Sequence, residues 1–332
     1  MQPFWAAFFI LASMKKTLLL IAMIPILSFS QKKEVLKYFI SKDTLAGVKD
    51  QDGKIIVPAQ FKIYSDLQDG DLVKEETIYF DGSKKGETKE KNAWGYVYDR
   101  KGNFLYRPFF YDNGADYFKE GLRRFVKNGK VGFADRNGKI AIEPKHDFVS
   151  YFEYGYALFC DGCDWEKTED EHKGIVGGTW GVMNTKGETV KPIVKSSDKD
   201  KEIQGKYYPN PFHYNEKEKN ILQFFEKQNK TLSGLYYINV YPEMSEAEKK
   251  LIFEIVERPK ENFPYYQINT YAVGMDLTMC DRFKFLVSEE GKEKYTMDYG
   301  EKVPYEEWLK NEIKEAEQFQ KERPDNPNKF VK

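Results

Sequence analysis

The feature that most constrains this chain is a short motif with two glycines that recurs four times between residues 46 and 188. Each copy has a leading glycine, a short apolar stretch, an Asp or Asn, and a second glycine three residues after the Asp or Asn. The copies are Ala46–Lys54, Trp94–Gly102, Val131–Lys139 and Trp180–Glu188. Internal repetition of this kind indicates a repeat architecture, in which similar units pack against their neighbours.

The second half of each copy carries the residues of a tight turn. Asp or Asn at the first turn position can accept hydrogen bonds from the backbone within the turn, and glycine at the fourth position takes the left-handed conformation that ends it. We therefore expect a β-hairpin in each copy. A proline five or six residues later should end the second strand, because proline has no N–H to donate to the sheet. These prolines are Pro58, Pro108, Pro144 and Pro192.

Further signals extend each hairpin into a unit of about three short antiparallel strands. Three of the hairpins are followed by a corner marked by glycine. These corners are Gln68–Gly70, Lys119–Gly121 and Glu153–Gly155. A third strand is expected after two of them, at Leu122–Lys127 and Tyr156–Cys160. Residues 31–195 are thus predicted to form a mainly β repeat array, arranged as an open ribbon or solenoid, or as a propeller-like ring.

The spacing of the leading glycines, which is 48, 37 and 49 residues, indicates where the units differ. The middle spacing corresponds to the bare unit, and the two longer spacings contain the insertions Asp81–Asn92 and Cys163–Gly178. Both insertions are charged or rich in glycine, so we expect loops. Residues shared by all copies serve packing first, so the insertions are the better place to look for function.

The motif resembles the WG-repeat family. Two copies begin with Trp-Gly, followed by a hydrophobic pair, Asp or Asn with glycine three residues on, and a proline; the other two copies keep the glycine without the tryptophan. The signature residues are Trp94, Gly95, Trp180, Gly181, Gly47 and Gly132. The resemblance covers roughly residues 44–195. It implies a β-repeat scaffold with a binding role, and it transfers no catalytic residue and no cofactor.

The two Trp-Gly pairs allow two interpretations. In the first, Trp94 and Trp180 fill the seam between neighbouring units, and the glycine lets another backbone come close. In the second, the tryptophans are a surface on which a ligand stacks. We expect the first, and the second is the alternative.

Residues 200–332 lack the repeat and have the pattern of a small α+β domain. Asn215 with Glu218, and Ser245 with Glu248, are spaced as capping boxes that begin helices. We expect the second helix to continue through 251–256, where the apolar spacing is near 3.6. Strands are predicted at Gly234–Tyr241, Tyr265–Val273, Arg282–Val287 and Lys294–Met297, and a last helix begins at Pro304.

The N-terminal segment has the order of a secretory signal. A basic start at Met14–Lys16 precedes the apolar run Thr17–Leu27, and Ser28–Ser30 gives small residues two apart. We expect residues 1–30 to be removed, with cleavage after Ser30, and residues 1–13 to lie upstream of the true start at Met14. An uncleaved anchor is the alternative. The mature chain is predicted to be exported to the periplasm, the cell envelope or the medium, without a membrane span.

Export favours a disulfide between Cys160 and Cys163, because the compartment is oxidising. Asp161-Gly162 between them predicts a tight turn. One alternative is a zinc site that uses Cys160, Cys163 and His172, with Glu169 or Asp170 available but no clear fourth ligand. Another is thiol redox chemistry, which the acidic neighbours of the pair disfavour.

The chain carries 52 basic and 53 acidic residues, which argues against a dedicated nucleic-acid binder. No motif for a cofactor or for catalysis is present. The leading hypothesis is a non-enzymatic binding or interaction protein of the cell envelope, with a protein or a glycan as partner. One alternative is an envelope enzyme with its site in 200–332, using carboxylates such as Glu254, Asp276 and Asp298. A purely structural spacer is the other.

Overall fold

The computed structural model describes residues 34–330 apart from 89, 112, 168–172, 241–242 and 299–300. The predicted signal segment, its start at Met14 and the cleavage after Ser30 lie outside the described residues. Among the described residues, no helix combines the length and the apolar character that crossing a membrane requires.

The repeat region begins with two antiparallel sheets. The first has the order β1-β2-β3 and the second the order β11-β10-β9-β6-β5-β4. The strands of the first sheet are β1 Leu36–Ile40, β2 Ala46–Asp50 and β3 Ile55–Phe61. The strands of the second are β4 Thr77–Phe80, β5 Tyr96–Asp99, β6 Phe104–Pro108, β9 Leu122–Lys127, β10 Lys130–Asp135 and β11 Ile140–His146. The expected strand Leu122–Lys127 is confirmed.

A third sheet and two small ribbons complete this region. The third sheet has the order β12-β13-β14-β15 and contains β12 Phe148–Val149, β13 Tyr156–Lys167, β14 Lys173–Asn184 and β15 Thr189–Val190. The ribbons pair β7 Phe110–Tyr111 with β8 Gly114–Ala115, and β16 Lys201–Ile203 with β17 Lys206–Tyr208.

The C-terminal region is one antiparallel sheet with helices. The sheet runs in chain order through β18 Leu251–Glu257, β19 Tyr265–Ala272, β20 Thr278–Ser288, β21 Lys294–Asp298 and β22 Glu301–Pro304. The helices are α1 Glu216–Lys227, α2 Asn229–Tyr237 and α3 Tyr305–Glu322. Phe225, Phe285 and Trp308 lie in the core between helices and sheet.

The four turns of the repeat have one geometry, as predicted. In each, the side-chain Oδ1 of the first turn residue accepts hydrogen bonds from the backbone N–H groups two and four residues on, at 2.8 to 3.1 Å. The glycine N–H donates to the backbone carbonyl of that same residue. The glycine φ angles are +86°, +87°, +79° and +77°. The turn residues are Asp50, Asp99, Asp135 and Asn184, and the glycines are Gly53, Gly102, Gly138 and Gly187.

The prolines end the second strand in only two copies. Pro108 is the last residue of β6, and Pro192 follows β15. The prediction is wrong for Pro58 and Pro144, which lie inside β3 and β11. Around Pro58, the step of four residues from Val57 to Phe61 in β3 pairs with a step of only two residues in β2. Around Pro144, the step of four residues from Ile142 to His146 in β11 likewise pairs with a step of two residues in β10. The strand continues because a bulge places the proline where no N–H is needed.

Two predictions for the C-terminal region are wrong. Residues 234–237 belong to helix α2, in which Leu232, Leu235 and Tyr237 face the core. The capping box of Ser245 and Glu248 forms, but it makes a single turn, and Leu251–Glu257 is a strand. The apolar run in that strand is buried along almost its whole length, because helices cover one face of the sheet and the repeat region covers the other.

The remaining C-terminal predictions are confirmed. Asn215 and Glu218 form the capping box of α1, with both hydrogen bonds at 3.0 Å. The three later strands form where they were expected, and Pro304 caps the last helix.

The chain is thus mainly β, with several antiparallel sheets, few helices and a C-terminal helix. Leu36–Lys332 forms one compact unit, in which the repeat and C-terminal regions keep separate main cores. A small shared cluster of Tyr154, Ile252, Tyr271 and Leu277 joins the two regions. The division into domains near residue 200 stays a prediction.

Candidate binding surface

The described part of the second insertion, on either side of residues 168–172, is a β-ribbon. Strands β13 and β14 pair without a register shift from Tyr156 opposite Asn184 to Lys167 opposite Lys173. The predicted strand Tyr156–Cys160 is therefore only the first half of β13. The expectation of a loop at Cys163–Gly178 is wrong, because each half of the insertion satisfies the backbone hydrogen bonds of the other. The first insertion, Asp81–Asn92, lies outside the strands as expected, with turns and one isolated bridge.

Cys160 and Cys163 form a disulfide within β13, which confirms the predicted pairing. The predicted tight turn at Asp161-Gly162 is wrong, because strand pairing continues on both sides of it. Gly162 has a φ of +75°, and Gly178, opposite it, has a φ of +70°. A Cβ at Gly178 would lie 2.6 Å from the Cys160 sulfur. The glycines therefore let the ribbon pass the disulfide without ending.

The zinc alternative gains no support from the described residues. Its two sulfur ligands, Cys160 and Cys163, are joined to each other, and His172 lies outside the described residues. No group of three His, Cys, Asp or Glu side chains able to hold a metal ion occurs in the part of the chain that the structure describes. The third cysteine, Cys280, is a buried thiol whose pKa burial raises to about 12.

The two insertions meet on one edge of the repeat region. Lys91 Nζ of the first insertion lies 2.8 Å from Asp164 Oδ1 of the second, in an exposed ion pair. Trp165, next to Asp164, packs against Phe109 and Phe148 at ring-centroid distances of 6.3 and 5.8 Å. The ribbon therefore folds back onto the repeat, and the residues that distinguish the copies share one surface.

Three aromatic rings follow one another beside the first insertion. Trp94 has Tyr64 on one side and Phe110 on the other, with centroid distances of 5.7 and 5.3 Å. Tyr64 is 62% exposed and Phe110 is 40% exposed, and Trp94 is half-buried between them. We call these three residues the aromatic ridge. A row of large apolar side chains that face solvent marks an interaction site more often than a packing requirement.

Polar groups line the aromatic ridge. The Tyr64 hydroxyl lies 3.2 Å from Ser83 Oγ. The backbone N–H of Tyr64 donates to Asp81 Oδ1 at 3.2 Å. The backbone N–H of Phe110 donates to the Asn92 carbonyl at 2.7 Å. The first insertion thus holds two of the three rings in place and supplies hydroxyl and carboxylate groups beside them.

The second signature tryptophan is also part-exposed. Trp180 is 37% exposed, packs against Phe148 at 5.9 Å, and donates its indole N–H to the Gly177 carbonyl at 3.0 Å. At the same position in the other copies, Ala46 and Val131 are buried. Both tryptophans therefore contact a neighbouring unit and still offer ring surface to solvent, which is compatible with both interpretations of the Trp-Gly pairs.

The signature glycines leave no room for a side chain. A Cβ at any of the four would lie 2.4 to 2.7 Å from its nearest neighbour, which is a backbone carbonyl or an aromatic ring. The glycines are Gly47, Gly95, Gly132 and Gly181. Gly95 also has a φ of +66°, so an alanine there would be strained as well as crowded. The close approach of a second chain segment explains why each copy has glycine here.

Residues 132–162, from the leading glycine of the third copy through its corner to Gly162, match the family model described as "WG containing repeat". The chain contains a WG repeat. The predicted family is confirmed on this copy, which is one of the two without tryptophan. No curated protein and no solved structure matches the chain at a significant level.

The corners of the WG-repeat region hold the C-terminal sheet. Two corners are two-residue hairpin turns in which both central residues have positive φ, Glu120-Gly121 and Tyr154-Gly155. The Glu120 carboxylate accepts from the Tyr271 hydroxyl at 2.6 Å and from the Gly155 N–H at 2.8 Å. Tyr154 packs edge-on against Tyr271 at 4.8 Å. Sequence reasoning found these corners but missed their contacts, because Tyr271 lies 151 residues after Glu120 and no local pattern links the two.

Burial raises the pKa of the Glu120 carboxyl, and the hydrogen bonds from Tyr271 and Gly155 act in the opposite direction. A second buried carboxylate, Glu254, lies nearby in the sheet and accepts from Lys199 Nζ at 3.0 Å and from the Tyr214 hydroxyl. Burial raises its pKa as well. Both groups serve the packing between the WG-repeat region and the sheet.

Of the carboxylates of the enzyme alternative, Glu254 and Asp276 are not brought together. Glu254 is fully buried, whereas Asp276 is exposed at a turn. No hydrogen bond or ion pair joins the two among the described residues, and the side chain of Asp298 lies outside them. The Asp276 carbonyl is held by Lys201 Nζ at 2.9 Å, a contact that fixes the turn. The described positions of Glu254 and Asp276 therefore provide no acid–base pair for the enzyme alternative, which stays untested.

Proposed function

We propose that this chain is an exported, non-enzymatic binding protein of the cell envelope, and that it binds an extended glycan along the aromatic ridge. The N-terminal sequence has the order of a secretory signal, and the Cys160–Cys163 disulfide is of the kind that persists in oxidising compartments. These two features support export. The ridge supports the choice of ligand.

The observation that carries the proposal is the succession of Tyr64, Trp94 and Phe110. Their centroids are 5.7 and 5.3 Å apart, close to the length of one sugar ring in an extended glycan. Each sugar ring has one face made of C–H groups, which packs on an aromatic ring. The rings are held by the first insertion and by β7, so the surface exists before the ligand arrives and little ordering is needed.

A narrow row of rings beside polar groups favours a glycan over a folded protein. A stable protein interface buries a broad patch of roughly 800 Å² on each partner, with an apolar centre. The ridge consists of three rings, and Ser83 and Asp81 lie directly beside Tyr64. Those groups can exchange hydrogen bonds with sugar hydroxyls while the C–H face of the sugar covers the rings.

We take the repeat region to be an open ribbon. The supporting observation is that the sheets follow each other in chain order, and that no described strand pairs the first sheet with the four-stranded one. An open arrangement leaves both insertions on an accessible edge, where Lys91 and Asp164 meet.

The test is a glycan array followed by titration of the best ligand. We expect Tyr64→Ala and Trp94→Ala to weaken binding roughly tenfold each, the equivalent of about 1.4 kcal/mol. Tyr117→Ala is the matched control, because Tyr117 is 64% exposed, like Tyr64, and makes no ring contact with the ridge. Its affinity should equal that of the unmodified chain.

Two outcomes count against the proposal. If no glycan binds, and pull-down from the envelope fraction retains a protein through the same ridge residues, the partner is a protein. If Tyr117→Ala weakens glycan binding as much as Tyr64→Ala does, the ridge is not the site. Export is checked separately by cell fractionation and by mass spectrometry of the mature N-terminus, which we expect at Gln31.

A further inference from the structure

A cavity of about 490 Å³ lies in the C-terminal region between the first half of α2 and the turn that precedes β18. That turn is made by residues 245–249. Lys329, near the end of the chain, closes one side. The lining residues are Asn229, Lys230, Ser233, Gly234, Glu246, Ala247, Lys249, Lys250 and Lys329.

The lining is strongly basic. Four lysines and one glutamate give the cavity a formal excess of three positive charges. The whole chain, in contrast, has 52 basic and 53 acidic residues and a formal net charge of −1. Lysines gathered around one cavity repel each other, and that repulsion is relieved when an anion enters.

The lysines fall into two pairs. Two are anchored by the chain: Lys249 Nζ lies 3.3 Å from Glu246 Oε1 with its side chain only 15% exposed, and Lys329 Nζ donates to the Pro324 carbonyl at 2.6 Å. The other two, Lys230 and Lys250, have no carboxylate partner among the residues that the structure describes. These two ammonium groups are therefore available to a ligand from outside.

Fixed backbone positions hold the two available lysines. Lys230 lies in the first turn of α2, and its carbonyl accepts from the Ser233 hydroxyl at 3.2 Å. Lys250 directly precedes β18, and its carbonyl accepts from the Val273 N–H at 3.0 Å.

A second cavity shows that a basic lining is not a general property of this surface. The cavity along α3, of about 600 Å³, is lined by Lys310 and Lys314 and also by Glu306 and Glu317. Its charges balance, and an anion gains nothing by entering it. The two cavities have similar size and differ in charge, which makes the α3 cavity an internal control.

We propose that the lysine-lined cavity beside α2 binds a phosphate-bearing anion with at least two negative charges. Lysine ammonium groups pair with phosphate as point charges, and Lys230 and Lys250 approach it from different elements. The anchored Lys249 and Lys329 add to the field without giving up their own contacts. This site is independent of the aromatic ridge, and either can fail without the other.

The test uses the mature chain and inorganic pyrophosphate in isothermal titration calorimetry at low ionic strength. We expect binding that weakens as salt is added, because the attraction is electrostatic. The double variant Lys230→Gln/Lys250→Gln should weaken it at least tenfold. Lys310→Gln/Lys314→Gln removes the same charge from the α3 cavity and should leave affinity within twofold. All four side chains are at the surface, so both variants should unfold at the temperature of the unmodified chain.

The source of the phosphate is resolved by a second arm. Flotation with vesicles that contain phosphatidic acid, compared with vesicles of phosphatidylcholine alone, distinguishes a lipid headgroup from a soluble phosphate compound. Binding that the Lys230→Gln/Lys250→Gln variant loses, in either arm, supports the site and identifies the source. Absence of binding in both arms, or an equal loss in the Lys310→Gln/Lys314→Gln variant, overturns the proposal.

Discussion

The contact between Glu120 and Tyr271 offers the sharpest test of how the two regions are joined. Tyr271→Phe removes one hydroxyl and leaves the ring, so its edge-on packing against Tyr154 at 4.8 Å remains. What is lost is the 2.6 Å hydrogen bond to Glu120 Oε1, a buried carboxyl group, and a longer one of 3.4 Å that the hydroxyl accepts from Asn269 Nδ2. A buried acceptor left without its hydrogen-bond donor costs about 1–3 kcal/mol. We expect the variant to be less stable by about 2 kcal/mol.

The matched control is Tyr305→Phe. Tyr305 is only 1% exposed, and its hydroxyl has no hydrogen-bond partner among the described residues. Removing this hydroxyl gives up no contact and relieves a buried polar atom, so the free energy of unfolding should stay the same or rise. The two variants make the same chemical change in two buried tyrosines, and they differ in whether the hydroxyl has a partner.

Urea unfolding followed by far-ultraviolet circular dichroism measures both variants. With an m-value of about 2 kcal/mol per molar, the expected loss moves the Tyr271→Phe midpoint down by roughly 1 M. The Tyr305→Phe midpoint should not fall. Midpoints for the two variants that agree within about 0.25 M, the equivalent of about 0.5 kcal/mol, would refute the view that the corner hydrogen bond stabilises the join between the regions.

Two further predictions follow from the same structure. Burial raises the pKa of the Glu120 carboxyl above its ordinary value of 4.5, so the folded chain binds the proton of this carboxyl more tightly than the unfolded chain does. The stability that this proton binding contributes at low pH is lost as the pH rises through the raised pKa. The free energy of unfolding of the unmodified chain, minus that of Glu120→Gln, should therefore fall as the pH rises above 4.5, and a flat difference in urea titrations at several pH values would contradict this cause. Gly132→Ala places a Cβ 2.5 Å from the Ile142 carbonyl and should lower stability by about 1–3 kcal/mol, whereas Gly114→Ala meets nothing within 4 Å and should change the thermal midpoint little.

Sequence predicted the parts of this fold that depend on short stretches of chain. The turn from Asp99 to Gly102 is made by hydrogen bonds within five residues, and the cap of α1 by Asn215 and Glu218. Both follow from local chemistry. The capping box of Ser245 and Glu248 is local too, and it forms, but the helix expected after it does not. There the burial of Leu251–Glu257 on both sides, set by distant segments, overrides the helical spacing.

The candidate sites depend on contacts that no local pattern reveals. Tyr64 and Phe110 are 46 residues apart and meet on either side of Trp94. Lys230 and Lys250 come together because α2 packs beside the turn that precedes β18. The sequence located the insertions and the Trp-Gly pairs, but only the folded chain shows which side chains share a surface.

The corners explain why the copies cannot be interchanged. Each corner turn needs positive φ at its second central residue, which glycine provides at Gly121 and Gly155. The preceding position also has positive φ, which asparagine or glycine adopts most easily, yet the chain has Glu120 and Tyr154 there. Backbone strain of this kind persists only where other contacts compensate for it, and here both side chains are buried against the C-terminal sheet. The second and third units are thereby specialised for holding that sheet, which leaves the edge with the insertions and the aromatic ridge free for a ligand.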